Sequence, residues 1–185
     1  MKKLLTVIFI AAVSLIHAQN LKLIVNNYST TFDFHGTLSA HNFGGGCYPY
    51  VTTNSPAMVV VPANANMNNG NELVYANFKD QYVNSLYPNA SWMVQLSAAT
   101  SIVRAWNHAS IAPGGVISAN TKWSSSQFQM YYAGTSTPEP SFSGLIGEPQ
   151  DPCTGAISNI STPYGDVEWF NITTGNVDYS YLQIY

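Results

Sequence analysis

Residues 31–41 alternate strictly between two kinds of side chain. Phe32, Phe34, Leu38 and Ala40 fall on one side; Asp33, His35, Thr37, Ser39 and His41 fall on the other. A period of two belongs to an extended strand with one face in a core and one in solvent. Shorter runs repeat the theme at residues 21–25, 58–61, 92–96, 102–106, 115–119, 127–132, 142–146, 166–172 and 177–185. Asn, Gly, Pro and Ser punctuate them, and residues 97–101 join two of them as a hairpin. Eight to ten short strands, with no repeat and no linker composition, predict an all-β chain. The expected architecture is a single antiparallel β-sandwich over residues 19–185. One short helix is expected where Asn77 precedes Phe78, Tyr82 and Leu86, spaced four apart, and Pro88 ends the run. Residues 44–49, 137–140 and 148–152 read as loops.

Residues 1–18 belong to a different category. Met1-Lys2-Lys3 is positive, residues 4–16 are almost wholly apolar, and Ala18 precedes polar Gln19-Asn20. This is the pattern of a secretory leader cut after Ala18, and its apolar run is too short to span a bilayer as a helix. The rest of the chain is expected to be secreted into an oxidising, extracytoplasmic setting. The two cysteines, Cys47 and Cys153, are then expected to form one bridge. No second apolar stretch has the length of a membrane helix.

Charge narrows the partners. Lys2 and Lys3 leave with the leader, so Lys22, Lys79, Arg104 and Lys122 face nine carboxylates. Four scattered bases cannot make the stripe that phosphates need, which excludes nucleic acid and disfavours anionic membrane surfaces. Only 8% of residues are charged, against about 25% in an ordinary soluble domain. Amides, hydroxyls and phenols therefore form the polar surface, and they suit neutral partners such as sugars.

Catalytic and metal constellations are weak on spacing. His35 and His41 share a strand face but lie about 20 Å apart along an extended chain, too far for one ion. Asp33 is close enough to pair with His35. His108 and Ser110 could join a carboxylate, yet there is no Gly-x-Ser-x-Gly elbow. Glu139, Glu148, Asp151, Asp166 and Glu168 gather in the C-terminal third. A Ca²⁺ ion on the 148–151 loop is the one cofactor they leave open, without EF-hand spacing. No metal ligands and no nucleophile–base pair are assigned, so a non-catalytic role is expected.

Aromatic residues carry the functional expectation. Tyr179, Tyr181 and Tyr185 share one face of the last strand, and Trp92, Trp106, Trp123, Trp169, Tyr131 and Tyr132 add flat surface. Exposed rings beside amide and hydroxyl groups form a platform for sugars. Trp106, Trp123, Tyr131 and Tyr179 are the expected stacking residues of a monomeric module that binds a glycan or another surface polymer. The alternatives are a small outer-membrane β-barrel, or a membrane-acting protein that inserts the hairpin around residues 97–101.

Several segments resemble a known layout. They are the leader Met1-Lys2-Lys3-Leu4-Leu5 ending in Ala18-Gln19, then Val25-Asn26-Asn27-Tyr28-Ser29, then Ile146-Gly147-Glu148-Pro149 before Cys153, and a final aromatic strand. Together they are similar to small uncharacterised exported β proteins of Bacteroidetes-type bacteria. The resemblance implies an exported β protein and no particular activity.

Overall fold

The computed structural model describes residues 21–53, 58–79, 81–149, 151–175 and 177–185, and the leader lies outside them. Its architecture is all-β, with two sheets packed together as a sandwich. The strands are β1 (Leu21–Asn27), β2 (Phe32–His41), β3 (Tyr50–Thr53), β4 (Val59–Val61), β5 (Leu73–Tyr75) and β6 (Ser91–Ser97). They continue with β7 (Thr100–Ala105), β8 (Lys122–Tyr132), β9 (Pro138–Gly147), β10 (Asn159–Thr162), β11 (Gly165–Thr174) and β12 (Val177–Ile184).

One sheet runs β10-β11-β12-β1-β5; the other runs β7-β6-β3-β2-β8-β9, with β4 beside β2. Pairing is antiparallel except where β1 lies parallel to β12. That exception joins the two ends of the described chain in the middle of the five-stranded sheet. Alternation along a single strand is the same for either direction of its neighbour, so it carried no sign of this pairing.

The alternation in β2 is realised as far as Ala40: Phe32, Phe34, Leu38 and Ala40 are buried and Asp33, His35, Thr37 and Ser39 half-buried. His41, expected on the outer face, is buried beyond a register shift at Ser39/Ala40. Gly36 also faces inward, where an added Cβ would come within 2.3 Å of the Phe34 ring. Asp33 does more than solvate the outer face. Its carboxylate accepts from the Ala63 amide at 2.7 Å and the Gly134 amide at 2.8 Å, which ties two turns to the strand.

Between the sheets, Leu23, Val25, Val167, Trp169, Leu182 and Ile184 meet Phe34, Leu38, Val94, Phe128 and Ile146. One polar group is drawn into this interior with its partners. The Asn27 amide nitrogen lies 2.8, 3.1 and 3.0 Å from the carbonyls of Phe32, Val61 and Pro62. Its oxygen accepts from the Ser29 amide. A buried amide is tolerated when its hydrogen bonds are made in this way.

Three expectations change. Residues 77–79 and 81–86 are bends and turns instead of a helix. The Asn77 side chain accepts from the Lys79 amide two residues on, an Asx turn that competes with helix initiation. Phe78 then turns into the core against Trp92, Tyr82 stacks on Trp106, and Leu86 stays exposed, so the three share no face. Residues 115–119 are turn and 3-10 structure. Pro138 and Pro140 open β9, an edge strand, which is where a strand without those amide donors can stand.

The expected bridge is present, linking Cys47 to Cys153. Among the described residues no helix is long and apolar enough to cross a membrane.

Candidate functional site

The outer face of the five-stranded sheet carries a continuous row of rings. In β12 the side chains of Ser180, Leu182 and Ile184 turn inward, which leaves Tyr179, Tyr181 and Gln183 on the outside. Val167 and Trp169 likewise turn β11 so that Glu168, Phe170 and Ile172 face out. Register brings these sets together. Tyr181 lies between Phe170 of β11 and Ile24 of β1, and Val74 of β5 extends that row. Tyr179 lies between Ile172 and Lys22.

Contacts within the row are close. Phe170 and Tyr181 stack with centroids 5.1 Å apart and planes inclined by 13°; Tyr179 follows Tyr181 at 6.3 Å and 24°. The Lys22 ammonium sits 5.5 Å from the Tyr179 centroid, a cation–π contact at the end of the stack. Among the described residues the Tyr179 and Tyr181 hydroxyls have no hydrogen-bond partner. Polar groups flank the rings: Asn159 donates to Glu168 at 3.4 Å, and Thr173 donates to Asp178 at 2.6 Å. Half-buried rings with free phenol groups and a rim of amides and carboxylates can stack on flat apolar faces while hydrogen-bonding around them.

The four residues expected to stack on a ligand do not converge. Tyr179 belongs to this row. Tyr131 is on the other sheet, half-buried, with its ring 4.1 Å from that of His35. Trp106 is half-buried just after β7 and stacks on Tyr82 at 5.6 Å. Trp123 is only 2% exposed and packs against Tyr75, Phe78 and Trp92 inside the sandwich, so it offers no face to a ligand. Tyr181, Phe170 and Lys22 complete the row instead. The Tyr179–Tyr181 spacing was visible in the sequence, whereas Phe170 and Lys22 join only through inter-strand register. Tyr185, expected on the same face, stacks on Tyr28 beyond the end of the strand.

A second polar cluster lies beside the disulfide. The register between β2 and β8 shifts at Ser39/Ala40, leaving Ser124 as the extra residue and His41 buried. His41 Nδ1 is 2.6 Å from Ser124 Oγ and 3.8 Å from Asp151 Oδ2. A serine–histidine–carboxylate relay needs its two partners on opposite ring nitrogens, and here both meet the same one. Asp151 accepts from the Cys153 amide at 2.7 Å and the Thr154 hydroxyl at 2.9 Å, and Lys122 sits 2.7 Å from Glu148. The carboxylates considered for Ca²⁺ thus engage protein donors that hold the disulfide loop. Among the described residues the His108 ring bonds only to Ser110, with Nδ1 2.9 Å from its hydroxyl, and no carboxylate lies within 4.0 Å of it.

Burial pushes His41 below histidine's ordinary 6.5, and the neighbouring Asp151 carboxylate offsets this only in part. His35 is lowered in the same way, with Asp33 as the opposing charge. The folded state therefore binds protons less readily than the unfolded state. Stability from these groups is complete above the unfolded value and is lost as pH falls toward the folded one. The urea midpoint should drop between about pH 7 and pH 5, and His41→Gln should flatten part of that slope. Equal slopes for the wild type and His41→Gln would remove His41 from this account.

Searches of protein-family models, of curated proteins and of solved structures find nothing that matches this chain.

Proposed function

We propose that this chain is a secreted, non-catalytic binding module that recognises a glycan or another surface polymer on the outer face of its five-stranded sheet. The observation that carries this reading is the Tyr179–Tyr181–Phe170 stack, in which two phenol hydroxyls have no hydrogen-bond partner among the described residues. Protein interiors satisfy such hydroxyls, and solvent-facing ones beside apolar rings are well placed to engage a ligand. Ile24, Val74 and Ile172 widen the apolar floor, Val74 and Ile172 being 40% and 46% exposed. Lys22 and Glu168 place one charge of each sign at its margins. The low charge of the chain favours a neutral or weakly charged polymer over a polyanion. The Cys47–Cys153 bridge supports a life outside the cytoplasm, where such bonds persist.

The test is a glycan-array screen with non-reduced residues 19–185, followed by Tyr179→Ala and Tyr181→Ala. Each substitution should weaken binding by about tenfold, equivalent to 1.4 kcal/mol, with little change in the melting temperature. Undiminished binding by the double variant would remove this face as the site. A blank array together with dye release from liposomes would favour a membrane-acting protein instead.

A further inference from the structure

We infer that the end of the sandwich where β2 begins binds a quaternary ammonium cation of the choline type, held by the rings of Tyr132 and Tyr164 over Phe32. The site uses residues outside the Tyr179–Tyr181–Phe170 row and stands or falls separately from it.

Three aromatic residues converge at this end because of where their strands start and stop. Phe32 opens β2, Tyr132 closes β8 directly opposite it, and Tyr164 lies in the turn between β10 and β11 of the other sheet. Phe32 is buried and forms the floor. Tyr132 and Tyr164 are 37% and 44% exposed and form two walls, with centroids 5.0 and 6.1 Å from that of Phe32. Their planes are inclined to the floor by 47° and 86°. Rings that meet as a corner, unlike a parallel stack, can turn more than one electron-rich face toward the same volume. That arrangement suits an alkylated ammonium ion, which gains from each face it touches. Residues 133–136, which follow Tyr132, are small and exposed, so the corner is open to solvent.

Charge at this end has one sign. The Tyr132 hydroxyl donates to Glu139 Oε2 at 2.9 Å, Asp33 follows Phe32, and Asp166 stands two residues beyond Tyr164. The bases lie elsewhere. Lys122 begins the strand that Tyr132 ends, about 33 Å away along an extended chain, and Arg104 is on β7, four strands or about 19 Å across the sheet. Lys79 adjoins Phe78, which packs on Trp123 near the start of β8. Lys22 pairs with Tyr179, six residues before Tyr185 and so about 20 Å from this end. A cation arriving here meets carboxylates and no competing base among the described residues.

Hydrogen bonding selects the kind of cation. Glu139 already accepts from Tyr132 and from the Ser141 amide, and Asp33 accepts from the Ala63 and Gly134 amides. A primary ammonium ion is strongly hydrated and needs acceptors to replace its water, which these engaged carboxylates supply poorly. A quaternary ion has no N–H to satisfy, yet it keeps the attraction to the rings and to the negative charge. An anionic group on the same ligand would face these carboxylates, so choline fits better than phosphocholine.

An NMR titration of isotope-labelled residues 19–185, non-reduced, with choline chloride is the test. Saturable shifts should centre on Tyr132, Gly134 and Tyr164, with Kd on the order of 1 mM. Sodium chloride at equal ionic strength serves as the blank. The neutral carbon isostere of choline, dimethylbutanol, should bind at least about tenfold more weakly, and phosphocholine should also be weaker. Tyr164→Leu keeps an apolar side chain without the aromatic face, and should weaken choline binding about tenfold with little change in the melting temperature. Should that variant fail to fold, Tyr132→Leu tests the other wall, and the comparison of choline with its isostere on the wild type needs no variant. Absence of saturable shifts with choline overturns the proposal. So does an isostere that binds as tightly, a folded Tyr164→Leu or Tyr132→Leu with unchanged affinity, or a shift map centred on Tyr179 and Tyr181.

Discussion

Trp123→Ala is expected to cost roughly 3–5 kcal/mol of folding free energy, the range for deleting a large buried aromatic side chain. Its ring closes one end of the sandwich from both sides. Phe78 meets it edge-on at 5.1 Å, Trp92 lies at 5.9 Å and Tyr75 at 6.1 Å. Tyr75 comes from the five-stranded sheet and Trp92 from the seven-stranded one, so truncation opens a cavity between the layers. The neighbours cannot easily collapse into it. Trp92 Nε1 donates to the Phe78 carbonyl at 2.9 Å, and the Tyr75 hydroxyl donates to the Tyr87 carbonyl at 2.6 Å. Urea denaturation is the measurement. A loss below about 1 kcal/mol would mean that the site relaxes around the void and that Trp123 is not a pillar of the core.

Opening the Cys47–Cys153 bridge is the second large effect expected, at roughly 2–5 kcal/mol. The bridge spans a sequence separation of 106 residues, so the unfolded chain gains much freedom when it is cut. It also holds a native contact in place. Asp151 stands two residues from Cys153 and reaches back to His41, while Ser124 beside it is fully buried. Cys153→Ser should therefore lower the urea midpoint and also weaken the pH dependence assigned to His41, whose burial that loop helps to maintain. The same protein treated with reductant should behave alike. A midpoint that does not move would show that the loop is held by Asp151, Lys122 and Glu148 without the bridge.

How far the residues alone reached can be followed strand by strand. Phe32, Phe34, Leu38 and Ala40 announced β2 and its buried face because alternation is written locally, in neighbours two apart. The hairpin of β6 and β7 was legible for the same reason: two apolar runs separated by a short polar turn admit few other shapes. Composition argued against phosphate partners as an expectation that needs no fold, since net charge is read from the residues alone. Cys47 and Cys153 were paired because two thiols in a chain expected to be exported have only one intramolecular partner each.

Other features depended on where distant strands meet. The short strands β3, β5 and β10 carry three or four residues, too few for a period to declare itself. The parallel union of β1 with β12 brings Lys22 beside Tyr179, across most of the chain. The outer row of rings exists only because that register, and the one with β11, align rings from separate segments. Exposure was the decisive unknown for the tryptophans. Trp106 and Trp123 look alike as residues, but a strand has two faces, and packing of the second sheet decides which one water can reach. Local pattern thus specified strands, turns, charge and the bridge. Long-range pairing, which no local window contains, decided which aromatic rings hold the protein together and which are left facing outward.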